Sequence, residues 1–252
     1  MKGIILAGGT GTRLKPLTEV TNKHLLPVYD RPMILYPIET LKQFGVSDIL
    51  IVSGGQHIGA FVEFLGEGER YGVNLTYRVQ SEPKGIAHAL AVARDWVGKE
   101  DVFVLLGDNI FDPSIAKFQP SFKVQAGIWV KRISDAHRFG VLMDSGTIVE
   151  KPRSTTSGLA VTGLYRYPAS VFSVIDTLAP SARGEYEITD VNNYYLEKGE
   201  CEVQELPEDF FWSDAGTFES LAKASHWAQK QKSLGSGSSV DNHPRSFSGK
   251  VY

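Results

Sequence analysis

The first 106 residues alternate between short apolar runs and segments of helical periodicity, and this order constrains the fold more than any other feature of the sequence. The predicted strands are residues 3–7, 48–53, 75–79 and 101–106. The predicted helices are residues 32–44, 58–65 and 85–97. Strands that alternate with helices are typical of a parallel sheet covered by helices, so the sequence predicts an α/β fold.

From residue 124 onward, the pattern changes to short strands separated by turns. The strand candidates are residues 126–132, 140–143, 147–150 and 159–167. The helix candidates are residues 170–178, 188–198 and 218–231. Closely spaced strands favour antiparallel pairing, so we expect a mixed central sheet in which most strands are parallel.

A chain of 252 residues, 42% of them hydrophobic, has enough apolar material for one large core. We expect residues 1–232 to form one domain. Residues 233–252 are rich in Ser, Gly, Asn and Pro and lack periodicity, so we expect them to form a flexible tail.

Composition argues against several classes of partner. A net charge of −3 and a pI near 6.1 give no basic footprint for nucleic acid or an anionic membrane. No apolar run reaches the roughly 18 residues of a membrane span, and no signal peptide is recognisable, so we expect a soluble, cytoplasmic protein. The single cysteine, Cys201, excludes an intramolecular disulfide, and we expect it to be a small apolar residue in a strand.

A glycine-rich turn, residues 8–14, directly follows the first predicted strand. Its glycines allow the backbone to approach phosphate oxygens, with Arg13 and Lys23 as neighbouring cations. The alternative is a tight surface turn with solvated charges. The turn matches neither the dinucleotide fingerprint, because Leu14 stands where the third glycine belongs, nor the Walker pattern.

Two aspartates are candidate ligands for a hard cation such as Mg²⁺. Asp108 follows the run at residues 101–106 after Gly107, although it could also be a turn former. Asp214 could supply a second carboxylate, or it could cap the helix that follows. The six histidines show no zinc spacing, so we expect polar or surface positions for His24, His57, His88, His137, His226 and His243. No G-x-S-x-G elbow supports serine hydrolysis.

The chain resembles the signature of the sugar-1-phosphate nucleotidylyltransferases at residues 6–14, 16–18 and 23–28. Within that family, it is most similar to the glucose-1-phosphate thymidylyltransferases. Further strings at residues 107–109, 150–152, 161–165, 180–185 and 212–217 resemble motifs of that family in the same order. The resemblance extends from about residue 2 to about residue 227. It implies a Rossmann-like three-layer α/β/α nucleotidyltransferase fold.

The resemblance also implies site residues. The catalytic residues would be Arg13, Lys23, Asp108, Lys151 and Asp214, with Asp108 and Asp214 on one Mg²⁺. The nucleotide would contact Leu6, Gly8, Gly9, Gly11, Thr12, Arg13, Gln80, Gly85 and Asp108. The sugar phosphate would contact Asn109, Gly140, Glu150, Lys151, Val161, Tyr165 and Arg183. Gln80 alone would more often be a solvated residue at a strand end, whereas in the family it faces the base and Gly85 leaves room for the ring.

The sequence departs from the family pattern at two of these motifs. His24 stands where many members have glutamine, and Phe139 stands where many have tyrosine. The first change puts a base contact by that glutamine in doubt, and the second removes a hydroxyl near the sugar. The family's feedback site is not carried over to this shorter chain.

The resemblance implies formation of dTDP-glucose and pyrophosphate from dTTP and glucose 1-phosphate, by a Mg²⁺-dependent homo-oligomer, a tetramer or dimer. The alternatives are the same reaction with UTP, another triphosphate or another hexose 1-phosphate, and a non-catalytic regulator that binds sugar nucleotides. A glycosyltransferase is disfavoured because the sequence lacks a D-x-D metal motif.

Overall fold

The computed structural model describes residues 1–9, 11–120, 123–155 and 157–235. Its strands are β1 Lys2–Leu6, β2 Pro27–Val28, β3 Arg31–Pro32, β4 Asp48–Gly54, β5 Asn74–Gln80, β6 Val102–Leu106, β7 Ile110–Phe111, β8 Ala126–Arg132, β9 Gly140–Leu142, β10 Ile148–Glu150, β11 Leu159–Tyr167, β12 Cys201–Leu206 and β13 Trp212–Ser213. Its α-helices are α1 Leu17–Val20, α2 Leu35–Gln43, α3 Ile58–Leu65, α4 Ile86–Ala91, α5 Arg94–Val97, α6 Val171–Ile175, α7 Ile188–Glu197 and α8 Phe218–Gly235.

A nine-stranded sheet forms the centre, with the path β10-β9-β11-β6-β1-β4-β5 and with β8 and β12 joined to it through β11. β1 pairs in parallel with β4 and β6, and β4 pairs in parallel with β5. β11 runs antiparallel to β6, β8 and β9. The predicted mixed α/β sheet is therefore confirmed.

Both faces of the sheet are covered by helices. Ile4, Leu6 and Leu50 pack on one face with residues of α4, α6 and α7. Ile5 and Ile49 pack on the other face with residues of α2 and α3. Because successive side chains of a strand point to opposite faces, burial on both sides explains why these strands are continuous apolar runs.

Several element boundaries differ from the sequence prediction. The helix expected at residues 32–44 is α2, which begins at Leu35 because Pro32 pairs with Pro27 in a short hairpin. The helix expected at residues 85–97 is divided into α4 and α5. Helix α8 continues through Gly235, so the first three residues of the expected tail are helical, and residues 236–252 lie outside the described residues. None of the helices described is long and apolar enough to cross a membrane.

The carboxyl ends of β1 and β6 place two loops side by side. Leu6 pairs with Leu106, and the backbone N–H of Gly107 donates to the Leu6 carbonyl at 2.9 Å. The glycine loop after β1 and the Asp108 loop after β6 therefore leave the sheet at one edge. Ligands of open α/β sheets bind at such an edge.

Candidate active site

The glycine loop is folded back onto Lys23. Gly11 has a φ of +65°, and a Cβ there would lie 2.7 Å from Thr18 Cγ2 and 3.1 Å from Lys23 Cβ. The Thr18 hydroxyl donates to the Gly11 carbonyl at 2.9 Å. A glycine is therefore required at this position by conformation and by space. The neighbouring Thr10 lies outside the described residues.

Lys23 and Asp108 form an ion pair beneath this loop. The Lys23 ammonium donates to Asp108 Oδ2, and Asn109 Nδ2 donates to Asp108 Oδ1 at 2.8 Å. Burial alone would raise the pKa of Asp108. The charge of Lys23, the electrostatic influence of the nearby His24 ring and the hydrogen bonds from Lys23 and Asn109 outweigh burial and lower it. Asp108 is therefore ionised at neutral pH, as a cation ligand must be.

A cavity of about 420 Å³ lies over the loop. It is lined by every residue that the sequence predicted for the nucleotide: Leu6, Gly8, Gly9, Gly11, Thr12, Arg13, Gln80, Gly85 and Asp108. Lys23 and His24 also line it. The structure thus brings this whole predicted set together.

A second cavity, of about 200 Å³, adjoins the first. It is lined by six residues predicted for the sugar phosphate: Asn109, Gly140, Glu150, Lys151, Val161 and Tyr165. Arg13 and Asp108 line both cavities, and Asp214 lines the second. A ligand in one cavity would therefore be a neighbour of a ligand in the other.

Asp214 lies at the end of β13, in a backbone of unusual conformation. The next residue, Ala215, is buried and has a φ of +39°. Asp214 Oδ2 accepts a hydrogen bond from Arg138 Nη2 at 2.9 Å. A Cβ on Gly216 would lie 2.9 Å from that same oxygen and 3.3 Å from Arg13 Nη2, so two guanidinium groups converge near one carboxylate.

Asp214 is not the cap of α8. The Thr217 hydroxyl accepts from the backbone N–H of Ser220 at 3.2 Å and so caps the first turn. The carboxylate of Asp214 instead lies on the wall of the second cavity, as Asp108 does. Within the described residues, no group of three or more His, Cys, Asp or Glu side chains could hold a metal ion.

Glu150 and Lys151 lie at the end of β10. Lys151 has a φ of +42°, and its backbone N–H donates to the Phe139 carbonyl at 3.0 Å. Glu150 Oε2 accepts from the Thr189 hydroxyl at 2.7 Å, and Glu150 Oε1 lies 3.4 Å from Lys151 Nζ. A non-glycine residue in the left-handed region is strained, and such strain is common at functional sites.

Tyr165 and Val161 are buried at the floor of the second cavity. Burial raises the pKa of the Tyr165 hydroxyl, and the carboxylates of Glu150 and Asp108 raise it further. This hydroxyl is therefore protonated at neutral pH and can donate a hydrogen bond.

Two residues predicted for the sugar phosphate have other partners. Arg183 does not line the second cavity; it pairs with Glu187 at 2.9 Å and lies 3.4 Å from Glu150. Asn109 lines the cavity, but its Oδ1 accepts from Gly163 N–H at 3.0 Å and from Trp212 Nε1 at 2.7 Å. Asn109 therefore joins β11 and β13 to the Asp108 loop.

Gln80 is buried, so the alternative of a solvated residue at a strand end is wrong. Its Nε2 lies 3.0 Å from His88 Nδ1 and donates to the Gly85 carbonyl at 3.4 Å. Its Oε1 would lie 3.0 Å from a Cβ on Gly8. The amide oxygen is therefore directed toward the glycine loop.

Gly85 is constrained by its own backbone conformation and by the backbone of Tyr186. Its φ is +99°, and a Cβ there would lie 2.6 Å from the backbone oxygen of Tyr186. Because that backbone cannot move as a flexible side chain could, the glycine is required by chain packing. Gly85 also lines the first cavity, so the expectation that it leaves room for a base stays a prediction beside this packing constraint.

His24 is buried, which corrects the expectation of a polar or surface position. Asn22 Oδ1 accepts from the His24 backbone N–H, and His24 Nδ1 lies 2.8 Å from the same oxygen. Nδ1 must therefore carry the proton, which leaves Nε2 as an acceptor. Burial lowers the pKa of His24 to about 4, so the ring is neutral at pH 7.

Several residues that line the second cavity were not predicted as site residues, among them Arg138, Thr189, Asn192 and Trp212. Arg138 precedes Phe139 in a string that resembles a family motif, so the motif held a signal for it. Trp212 likewise begins the string at residues 212–217, which contains Asp214. Thr189 and Asn192 lie on a helix face, and a polar residue on a predicted helix gives no such signal.

A mixed, mostly parallel sheet with helices on both faces is the fold of the nucleotidyl transferases. The sequence pattern of that family matches residues 2–231, and the chain belongs to it. The chain is 42% identical over 237 residues to a glucose-1-phosphate thymidylyltransferase of Mycolicibacterium smegmatis, covering 91% of this chain and 82% of the relative. It is 42% identical over 245 residues to the enzyme of that name from Neisseria gonorrhoeae, covering 93% and 84%.

Solved structures agree with this family. A Bacillus anthracis protein assigned as a glucose-1-phosphate thymidylyltransferase, in complex with sucrose, has a TM-score of 0.84 and 47% identity, covering 91% of this chain and 95% of that one. A UDP-glucose pyrophosphorylase complexed with UDP-glucose has a TM-score of 0.80, with 91% and 98% covered. At 22% identity, the second likeness concerns the fold alone.

Proposed function

We propose that this protein forms dTDP-glucose and pyrophosphate from dTTP and glucose 1-phosphate. The observation that carries the proposal is the junction of two cavities at Arg13 and Asp108, one over the glycine loop and one beside Lys151. A triphosphate in the first and a sugar phosphate in the second would be neighbours, and proximity of this kind is a large part of catalysis. The names of the relatives in Mycolicibacterium smegmatis and Neisseria gonorrhoeae support the choice of substrates.

In the proposed reaction, an oxygen of the sugar phosphate attacks the α-phosphorus of dTTP, and the bond from that phosphorus to pyrophosphate breaks. Lys151 would hold the attacking phosphate, and Glu150 would accept hydrogen bonds from sugar hydroxyls. Arg13 and Lys23 would neutralise the departing pyrophosphate. Catalysis is then positioning and charge neutralisation, with no covalent enzyme intermediate.

A divalent cation is general in this family, and the donor set suits one. Asp108 and Asp214 would hold it, because their carboxylates line one cavity. Two carboxylates leave coordination positions for substrate phosphates, the usual arrangement for Mg²⁺. When bound, the ion would neutralise charge on those phosphates.

Gln80 would read the base through its amide oxygen. Because Nε2 is engaged by His88 and Gly85, the Oε1 atom is left as an acceptor toward the glycine loop. Thymine and uracil present an imide N–H to such an acceptor, whereas cytosine presents a ring nitrogen that is itself an acceptor. The proposal therefore extends to discrimination against cytosine nucleotides.

A panel assay tests this proposal. Four nucleoside triphosphates are combined with several sugar 1-phosphates and Mg²⁺, and pyrophosphate release is measured. We expect dTTP with glucose 1-phosphate to give the highest kcat/KM. A higher value with UTP or another sugar would change the assigned substrates, and no release from any pair would overturn the enzyme assignment in favour of a non-catalytic binding protein.

A further inference from the structure

Arg138 is the one guanidinium that hydrogen-bonds Asp214 in the described part of the chain. Its Nη2 donates to Asp214 Oδ2 at 2.9 Å, and its Nη1 donates to Asp135 Oδ2 at 2.7 Å. The side chain also lies over the Phe139 ring, 5.2 Å from the ring centroid. Arg138 is therefore held at three points on the wall of the second cavity.

This arrangement mirrors the one at the other carboxylate. Lys23 neutralises Asp108, and Arg138 neutralises Asp214. The side chains of Asp108 and Asp214 are only 22% and 12% exposed. Leaving either carboxylate without a neighbouring cation would therefore be destabilising. A divalent ion at Asp214 Oδ2 would compete with Arg138, and one at Asp108 Oδ2 would compete with Lys23.

The geometry of Arg138 determines where it goes after release. Its Nη1 remains bound to Asp135, and the ring of Phe139 still supports the guanidinium plane. The freed Nη2 edge would therefore stay at the cavity, which Lys151 also lines. A planar guanidinium with a free edge is well suited to bind phosphate.

We propose that Arg138 binds phosphate once the divalent cation has replaced it on the carboxylate of Asp214. In the metal-free protein, Arg138 occupies the Asp214 carboxylate; when the cation takes that carboxylate, the released edge of Arg138 binds the phosphate of the incoming sugar phosphate. The second half of this inference rests on the proposed function, whereas the exchange at Asp214 does not.

The exchange is tested by titrating the substrate-free protein with Mn²⁺ and measuring bound ion by electron paramagnetic resonance. Arg138→Ala removes the competing cation, so we expect Mn²⁺ to bind about three- to tenfold more tightly, the factor for loss of one partly screened ion pair. Arg138→Gln should behave in the same way if the alanine variant does not fold. Arg132→Ala is the matched control, because Arg132 is exposed and lines neither cavity, and its Mn²⁺ affinity should equal that of the wild type.

The phosphate contact is tested by steady-state kinetics of the same variants. We expect the KM for glucose 1-phosphate to rise at least tenfold and the KM for dTTP to stay within twofold. Arg138→Lys, which keeps the charge but lacks the two-pronged edge, should restore near wild-type Mn²⁺ affinity and only part of the sugar phosphate affinity. Unchanged or weaker Mn²⁺ binding in Arg138→Ala and Arg138→Gln would overturn the exchange, even if the wild type proved inactive; an unchanged KM for the sugar phosphate in an active enzyme would overturn the phosphate contact.

Discussion

The ammonium of Lys23 donates to the carboxylate of Asp108 although the two residues are 85 positions apart in the chain. Lys23 belongs to a short turn after the glycine loop, and Asp108 follows β6. The pair is formed because β1 and β6 are parallel neighbours that end at the same edge. Asp108 lines both cavities, so the charge of this pair acts on ligands in either cavity.

The first prediction concerns this carboxylate. Asp108→Asn keeps the shape of the side chain but removes the charge that would hold the divalent cation and orient Lys23. We expect kcat for pyrophosphate release to fall by about 10² to 10³, the usual effect of removing one electrostatic group from a site. Asp144→Asn is the matched control, since Asp144 is exposed and lines neither cavity. A folded Asp108→Asn variant that keeps more than about a tenth of the activity would remove Asp108 from the mechanism.

The second prediction separates charge from backbone strain at Lys151. Both Lys151→Ala and Lys151→Gly remove the ammonium, so both should lose sugar phosphate affinity equally. The backbone at a φ of +42° suits glycine, so the free energy of unfolding should be about 1 kcal/mol higher for Lys151→Gly than for Lys151→Ala. Urea denaturation of the two variants measures this difference, and a glycine variant that is no more stable would contradict the assignment of strain.

The third prediction concerns base selection by Gln80. Gln80→Ala removes the acceptor directed toward the glycine loop, so we expect discrimination between dTTP and dCTP to fall about tenfold or more, as one lost hydrogen bond in a specificity site implies. The ratio between dTTP and UTP should change little, because both bases present the same imide edge. Equal losses of kcat/KM for all three nucleotides would show that Gln80 supports the loop without reading the base.

The fourth prediction is a pH dependence of stability due to His24. The pKa of this buried ring is about 4 in the folded chain, whereas the ordinary pKa of a solvated histidine is 6.5, so the unfolded chain takes up the proton first as pH falls. Burial is the main cause, the charge of Lys23 and the ring of His57 add to it, and Asp108 opposes it. Folding stability should therefore be lost between pH 6.5 and pH 4, by about 3 kcal/mol from this group.

Urea denaturation across that pH range tests the His24 prediction. His24→Gln should flatten this part of the profile, because glutamine takes up no proton. His226→Gln is the control, since His226 is exposed on α8, and it should keep the wild-type profile. Identical profiles for the wild type and His24→Gln would contradict the prediction.

Much of the fold could be predicted because its strands are buried on both faces. The runs around Ile4 and Val104 are continuous and apolar. Because such runs alternate with helical segments, the pattern predicts a parallel sheet. The short pairs β7 with β13 and β2 with β3 were missed, because two residues show no periodicity. They form through contacts between distant segments.

Nine residues of the first cavity could be named in advance as predicted nucleotide contacts, because they match positions of the family pattern. What the motifs could not give is the partner of each side chain. The ion pair of Arg138 with Asp214 depends on how two loops 76 positions apart approach one another. His24 looked like a polar surface residue because its burial comes from packing under the glycine loop and beside Gly107, where a Cβ would lie 2.8 Å from its ring.

The proposed function is tested most directly by identifying the products that the protein forms. The wild type is incubated with dTTP, glucose 1-phosphate and Mg²⁺, and the mixture is followed by phosphorus nuclear magnetic resonance. We expect a diphosphate-linked sugar nucleotide and pyrophosphate in equal amounts, with no orthophosphate. Unchanged dTTP from a folded protein, or its hydrolysis without transfer to the sugar phosphate, would contradict the proposed nucleotidyl transfer.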